Sequence, residues 1–190
     1  IQRFGKKIVS RLNQLEQQVS DMLIFAKGDV KLSDHVSVGT LIEDIRSSLD
    51  VIEQANQVEV IIDAEQGETD NTELNVNCNR QVLVGAFLNL ISNAAQASER
   101  GQKVFVAAQL IDNTICIDIA DRGEGMTPEV LQRINAEEAF VTTKSQGTGL
   151  GLPVVRAVLK AHQGNLSINS ASGQGTDIRV TLPLHCPVPV

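Results

Sequence analysis

Gly147-Thr148-Gly149-Leu150-Gly151-Leu152 is a glycine-rich turn running straight into a helix that carries Pro153 in its first turn. Successive backbone N–H groups at such a turn, added to the positive end of the helix dipole, form a cradle for an anion. The spacing excludes two commoner phosphate loops. No GxxxxGK[ST] occurs in the chain, and position 152 is Leu where a dinucleotide GxGxxG places its last glycine. Taken alone, the turn is equally a helix that starts after glycines. Its neighbours decide.

Upstream lies a second glycine turn, Asp121-Arg122-Gly123-Glu124-Gly125-Met126, which follows a strand over Thr114–Ala120. Ile115, Ile117 and Ile119 share one face of that strand, and parity puts Asp121 on the same apolar side. A carboxylate aimed at a core needs a donor, and the exocyclic amine of adenine would provide one. A cap for the following turn is the alternative. Gly123 and Gly125 allow the backbone to turn tightly and approach a ligand. Further upstream, a helix from Arg80 to Glu99 is apolar over most of its surface, yet Asn89, Asn93 and Gln96 fall at i, i+4 and i+7. Carboxamide oxygens suit a hard ion such as Mg²⁺, with phosphates and waters filling its other positions. A structural hydrogen-bond ladder also fits. Between the glycine turns, Phe140-Val141-Thr142-Thr143-Lys144 sits in a stretch without strong periodicity. It suits a lid over a polyphosphate, with Lys144 near the terminal phosphate, or a surface loop with one anchoring Phe.

Composition bounds these readings. The 190 residues allow one compact domain with a small appendage, and 42% apolar with 21% charged residues is ordinary for a globular protein. No apolar run is long enough to cross a bilayer, so a cytoplasmic location is expected. A net charge of −7 argues against a nucleic-acid binder but leaves local phosphate binding open. Three scattered cysteines without CxxC spacing read as reduced thiols. The opening Ile1 raises the expectation that the protein extends beyond this segment.

Lys6 to Lys27 reads as a long helix with a seam of Ile8, Leu12, Leu15, Val19, Met22 and Ala26, a period near that of a coiled coil or antiparallel bundle. Gly28–Asp34 reads as a linker. Val38–Asn56 reads as one helix capped by Ser37, Val58–Ile62 as a strand, and Val76 and Cys78 as parts of another. Two strands, Lys103–Leu110 and Thr114–Ala120, are joined by a hairpin turn at Ile111-Asp112-Asn113. Thr127-Pro128-Glu129 opens a short helix, and a further helix covers Gly151–Ala161. Strands at Asn165–Ser170 and Thr176–Leu182 flank Ser172-Gly173-Gln174-Gly175. The sum is an α+β layer with helices on one face of a mixed, mostly antiparallel sheet.

In order, these motifs resemble the catalytic, ATP-binding domain of two-component sensor histidine kinases, within the wider group that includes DNA gyrase B, Hsp90 and MutL. Leu88–Ala97 resembles the asparagine box, and Asp121–Gly125 the first glycine box. Phe140–Lys144 resembles the phenylalanine box, Gly147–Leu152 the second glycine box, and Gly173–Thr176 a third glycine turn. The resemblance implies a two-layer α/β sandwich of the Bergerat type over 35–190, with 1–34 forming the second helix of a dimerisation hairpin and its linker. It implies ATP and Mg²⁺ as ligands: Asn93 with Asn89 on the metal and Gln96 beside them, Asp121 on adenine N6, and Gly123, Gly125 and Met126 around the base. Thr142, Thr143 and Lys144 would lie in an ATP lid over 135–150, with Gly147, Thr148, Gly149, Leu150, Gly151 and Leu152 at the phosphates and Thr176 in the third turn. The expected reaction is transfer of the γ-phosphoryl group to a histidine, for relay to a response-regulator receiver domain. Self-association through the N-terminal helix is also implied. The NAAQA and TTK variants are similar to nitrogen-regulation and flagellar-regulation kinases. An ATP-binding sensor or scaffold, and an anti-sigma-type serine kinase, are the alternatives. Two departures stand out. His35, His162 and His185 all lack the context of a phosphoacceptor, which is therefore expected upstream of Ile1. Position 85 is Gly where many members carry Gln, so a packing difference without loss of nucleotide binding is expected there.

Overall fold

The computed structural model describes residues 30–64, 75–142 and 149–184. The expected N-terminal helix lies outside these residues, as do Thr143, Lys144, Gly147 and Thr148 of the site.

Strand parity builds the sheet. β4 (Lys103–Ile111), β5 (Thr114–Ala120), β6 (Asn165–Ala171) and β7 (Gly175–Pro183) join β2 (Glu59–Ala64) in the order β2-β4-β5-β7-β6. Among the described strands, only β2 and β4 run parallel. Register places one apolar row across five strands, Ile62, Val106, Ile119, Ile178 and Ile168, and a second through Ala108, Ile117, Val180 and Leu166. These rows face the helices. The opposite face carries Phe105, exposed, with the pairs Arg179–Asp118 and Lys103–Glu59. The β4–β5 hairpin turns on Asp112 and Asn113, both at positive φ, as a two-residue turn between twisted strands requires.

α3 (Arg80–Ala97) is the central helix. Leu83, Ala86, Phe87, Leu90, Ile91, Ala94 and Ala95 are buried, because the sheet, α1 (Val38–Ser47), α2 (Leu49–Asn56) and α5 (Gly151–Ala161) all pack on it. α4 (Pro128–Asn135) begins with Thr127 as its cap and Pro128 in its first turn.

Two elements differ from expectation. The single helix over Val38–Asn56 is broken, since Ser47 and Ser48 both donate their hydroxyls to the Asp44 carbonyl and Ser48 N–H turns to Ile45. Serine back-bonding of this kind competes with the helical ladder. And Asp34 opens a strand: β1 (Asp34–Ser37) pairs antiparallel with β3 (Asn75–Cys78) in a separate two-stranded ribbon. This ribbon is tied to the start of α3. Asn79 Nδ2 donates to the Lys31 carbonyl at 3.3 Å, and Arg80 N–H to Asp34 Oδ2 at 2.9 Å. The Arg80 guanidinium grips the Asp44 carboxylate of α1 with two bonds of 2.6 Å. That contact holds the Asp44 carboxyl below the usual carboxylate range.

Candidate nucleotide site

Asn89 and Asn93 lie one turn apart on α3, half-buried, and Asn93 Nδ2 donates to Asn89 Oδ1 at 2.9 Å. The Asn89 amide reaches the start of α5, where a Cβ added to Gly151 would stand 2.8 Å from its Oδ1. Glycine at 151 is what lets the two helices meet there. Gln96 is exposed and donates to Ser92 Oγ at 3.1 Å, towards the outer end of the helix.

Ser37, Asn79 and Thr127 each accept a first-turn N–H of α1, α3 and α4, whereas Leu150 ahead of α5, like Ser48 ahead of α2, supplies no side-chain cap. Leu150 is buried. A helix start whose preceding residue brings no side-chain acceptor, beside the Asn89 amide, is suited to an anion from outside the protein.

Asp121 is 2% exposed and closes the apolar row begun by Ile115, Ile117 and Ile119. Its Oδ1 accepts from Gly123 N–H at 2.9 Å, and its own N–H donates to the Thr176 carbonyl at 3.0 Å. Burial pushes its carboxyl above the ordinary value, opposed by the N–H groups of Gly123 and Thr176. Thr176, also buried, shares a 3.0 Å hydroxyl contact with Ser170. Met126 is partly buried against the core.

The glycines of the first turn serve the backbone itself. A Cβ on Gly123 would collide with the Ala97 carbonyl, one on Gly125 with the Ala171 carbonyl, and one on Gly175 with the Asp121 carbonyl. Gly125 and Gly175 also sit at positive φ. Glu124 N–H donates to Ala97 at 3.1 Å, and Gly173 N–H to Glu124 at 2.7 Å. Three chain segments, the end of α3, the 121–125 turn and the β6–β7 hairpin, therefore meet backbone to backbone around Asp121. Sequence reasoning assigned the glycines to ligand approach, and nothing in a single chain signals which other backbone they must admit.

At the next segment, Phe140 is 63% exposed and Val141 does the anchoring in its place. Gly149 packs on the Phe140 backbone, its would-be Cβ 2.6 Å from Phe140 Cα, so residues 140 and 149 meet. Thr142 is exposed just beyond. One residue outside all the motifs is buried and polar: His162, whose Nδ1 faces the Val158 carbonyl at 2.7 Å while Nε2 accepts from Asn79 N–H at 3.0 Å. A histidine beside the C-terminus of a helix was its only sequence signal.

Asn89 and Asn93 fit Mg²⁺ as a hard ion that keeps most of its shell in water and phosphate. Among the described residues, no cluster of three or more His, Cys, Asp or Glu could cage a metal. No described helix is long and apolar enough to cross a membrane.

Residues 78–185 match the family described as histidine kinase-, DNA gyrase B-, and HSP90-like ATPase. The sensor protein kinase FleS of Pseudomonas aeruginosa is 40% identical over 183 residues, 96% of this chain and 43% of FleS. The nitrogen regulation protein NtrY of Azorhizobium caulinodans is 29% identical over 204 residues, 97% of this chain and 26% of NtrY. The chain thus spans less than half the length of these relatives. The fold matches full-length ShkA, solved in complex with AMPPNP, with a TM-score of 0.75 at 24% identity, covering 97% of this chain and 40% of that one. The chain belongs to the family of histidine kinase-, DNA gyrase B- and HSP90-like ATPases, as an ATP-binding catalytic domain of the histidine kinase type.

Proposed function

We propose that this domain binds Mg·ATP between α3 and α5 and transfers the γ-phosphoryl group to a histidine presented by a dimerisation helix of the same protein. A response-regulator aspartate would then receive the group, in the cytoplasm. One observation carries the reading: Asn89, hydrogen-bonded to Asn93, sets its amide against the start of α5, where Leu150 supplies no side-chain cap. In the Hsp90-like and MutL-like members that this chain resembles, a Glu one turn before the metal-binding Asn activates water. Asn89 stands there and cannot act as a base at neutral pH. The site is built to position a phosphoryl donor rather than to hydrolyse it.

The residues divide the work. Asp121 receives the adenine amine, with Gly123 N–H fixing the carboxylate's direction. Asn93 and Asn89 hold Mg²⁺, which neutralises phosphate charge when bound. The first turn of α5 offers backbone N–H groups to the phosphates, and Lys144 contacts the terminal one. Catalysis of this kind rests on positioning and charge neutralisation.

The test mixes the chain with a protein bearing the upstream histidine helix and radiolabelled ATP. Acid-labile phosphohistidine is expected, and Asn93→Ala should abolish both it and Mg²⁺-dependent ATP binding. ATP binding without phosphohistidine would leave a sensor or scaffold. Rapid release of free phosphate from the chain alone would point to an ATPase.

A further inference from the structure

Polar groups at the start of α3 and along it meet opposite ends of α5. At its C-terminal end, His162 accepts from Asn79 N–H at 3.0 Å. At its N-terminal end, Gly151 lies against the Asn89 amide. The spans Asn79–Asn89 along α3 and His162–Gly151 along α5 are both about 15–17 Å at the helical rise. The two helices therefore run antiparallel, with a hydrogen bond at one end and a close approach at the other.

Between these two places the contact is apolar. Val154, Val155, Val158 and Leu159 of α5 are buried in the core. Such packing interdigitates and sets the distance between the helices, but it supplies no bond that fixes one backbone group against another. A hydrogen bond has direction. His162 is 3% exposed, and donation from Nδ1–H to the Val158 carbonyl at 2.7 Å fixes both its tautomer and its ring plane. Nε2 is thus held as an acceptor for an N–H that has no partner within its own helix. Asn79 is in turn the cap of α3, accepting from Val82 N–H through Oδ1 at 3.3 Å.

We propose that His162 is a positioning residue: by holding Asn79, the cap of α3, it sets the register of α5 and keeps Gly151 against Asn89. The amide pair and the start of the phosphate cradle are then aligned before nucleotide arrives. This rests on the reading of that pair as the Mg·ATP site.

The experiment compares His162→Leu with His162→Gln in the whole chain, Gln placing an amide oxygen where Nε2 accepts. Calorimetry with ATP, with and without Mg²⁺, gives the factor by which the metal tightens binding. His162→Leu should lose up to about tenfold of that factor, the value of one hydrogen bond lost from the alignment, with Mg²⁺-free affinity little changed. His162→Gln should restore it. Hydrogen exchange at the Asn79 amide of nucleotide-free protein should be slow in wild type and His162→Gln, and fast in His162→Leu. If Leu prevents folding, His162→Met keeps a similar volume without the acceptor and takes its place. An unchanged Mg²⁺ factor in a folded Leu or Met variant overturns the proposal, as does failure of Gln to restore it. A wild-type chain that binds no Mg·ATP overturns the functional reading instead, and Asn79 exchange still tests the hydrogen bond.

Discussion

Asp121 illustrates how one side chain carries two obligations. It finishes an apolar row and turns the chain through its bond to Gly123 N–H. Asp121→Asn keeps an oxygen for Gly123 and loses the charged acceptor proposed for adenine. ATP affinity should fall by roughly tenfold or more, the weight of a charge-assisted bond, with little change in melting temperature, and calorimetry beside a thermal melt separates the two. His162 makes a pH prediction. Burial lowers its pKa from 6.5, against the Val158 carbonyl, so the fold holds the neutral ring. The unfolded chain takes up a proton near pH 6.5, so stability is whole above that pH and is lost as pH falls through the lower folded value. Melts between pH 8 and pH 5 should show this acid arm in wild type and a flatter one in His162→Gln. Cys78 presents the opposite case: burial pushes its thiol up to about 11, with Asp34 adding to the shift, so it stays protonated at neutral pH. Asp121 was legible from strand parity alone. His162 was not, because its partner Asn79 is far away in the chain.

At the scale of elements, the glycines sort by what surrounds them. Gly85, within α3, would meet nothing within 4 Å of an added Cβ. The departure at position 85 is thus an open place on a helix surface. Gly85→Ala should raise stability by about 0.5–1 kcal/mol through helix propensity and the unfolded chain. Gly125→Ala should lower it by about 2 kcal/mol or more, since that residue has φ +64 and its Cβ would enter the Ala171 carbonyl. Denaturant unfolding of both variants checks the pair. Sequence alone could not rank them, as both are single glycines in marked positions. Most elements were readable because their apolar period was complete: α3, the two hairpins and α5 all appear where the pattern puts them. The break after Ser47 was hidden, since the stripe Leu41, Ile45, Leu49 and Ile52 continues across it while the serines act on the backbone. β1 was hidden because four residues of mixed polarity hold no visible alternation.

Across the whole molecule, the strongest departure from the sequence reading is where the globular part begins. Asp34 was placed at the end of a linker, yet it bonds to the first turn of α3. Asn79→Asp tests the bond next to this one, because Asp keeps an oxygen for the Val82 N–H and cannot donate to the Lys31 carbonyl. Amide exchange in β1 should rise by up to about tenfold, the value of one hydrogen bond. β5 and β7, at the centre of the sheet, should be unaffected. Mass-spectrometric exchange resolves these strands.

Asn79 and Arg80 consequently act as a hanger. Two adjacent residues carry the ribbon through Lys31 and Asp34, α1 through Asp44, and the end of α5 through His162. A load arriving along the chain ahead of β1 is borne first at this point, before it reaches the sheet. The domain is suspended from one end of the same rod that displays Asn89 and Asn93 about ten residues along.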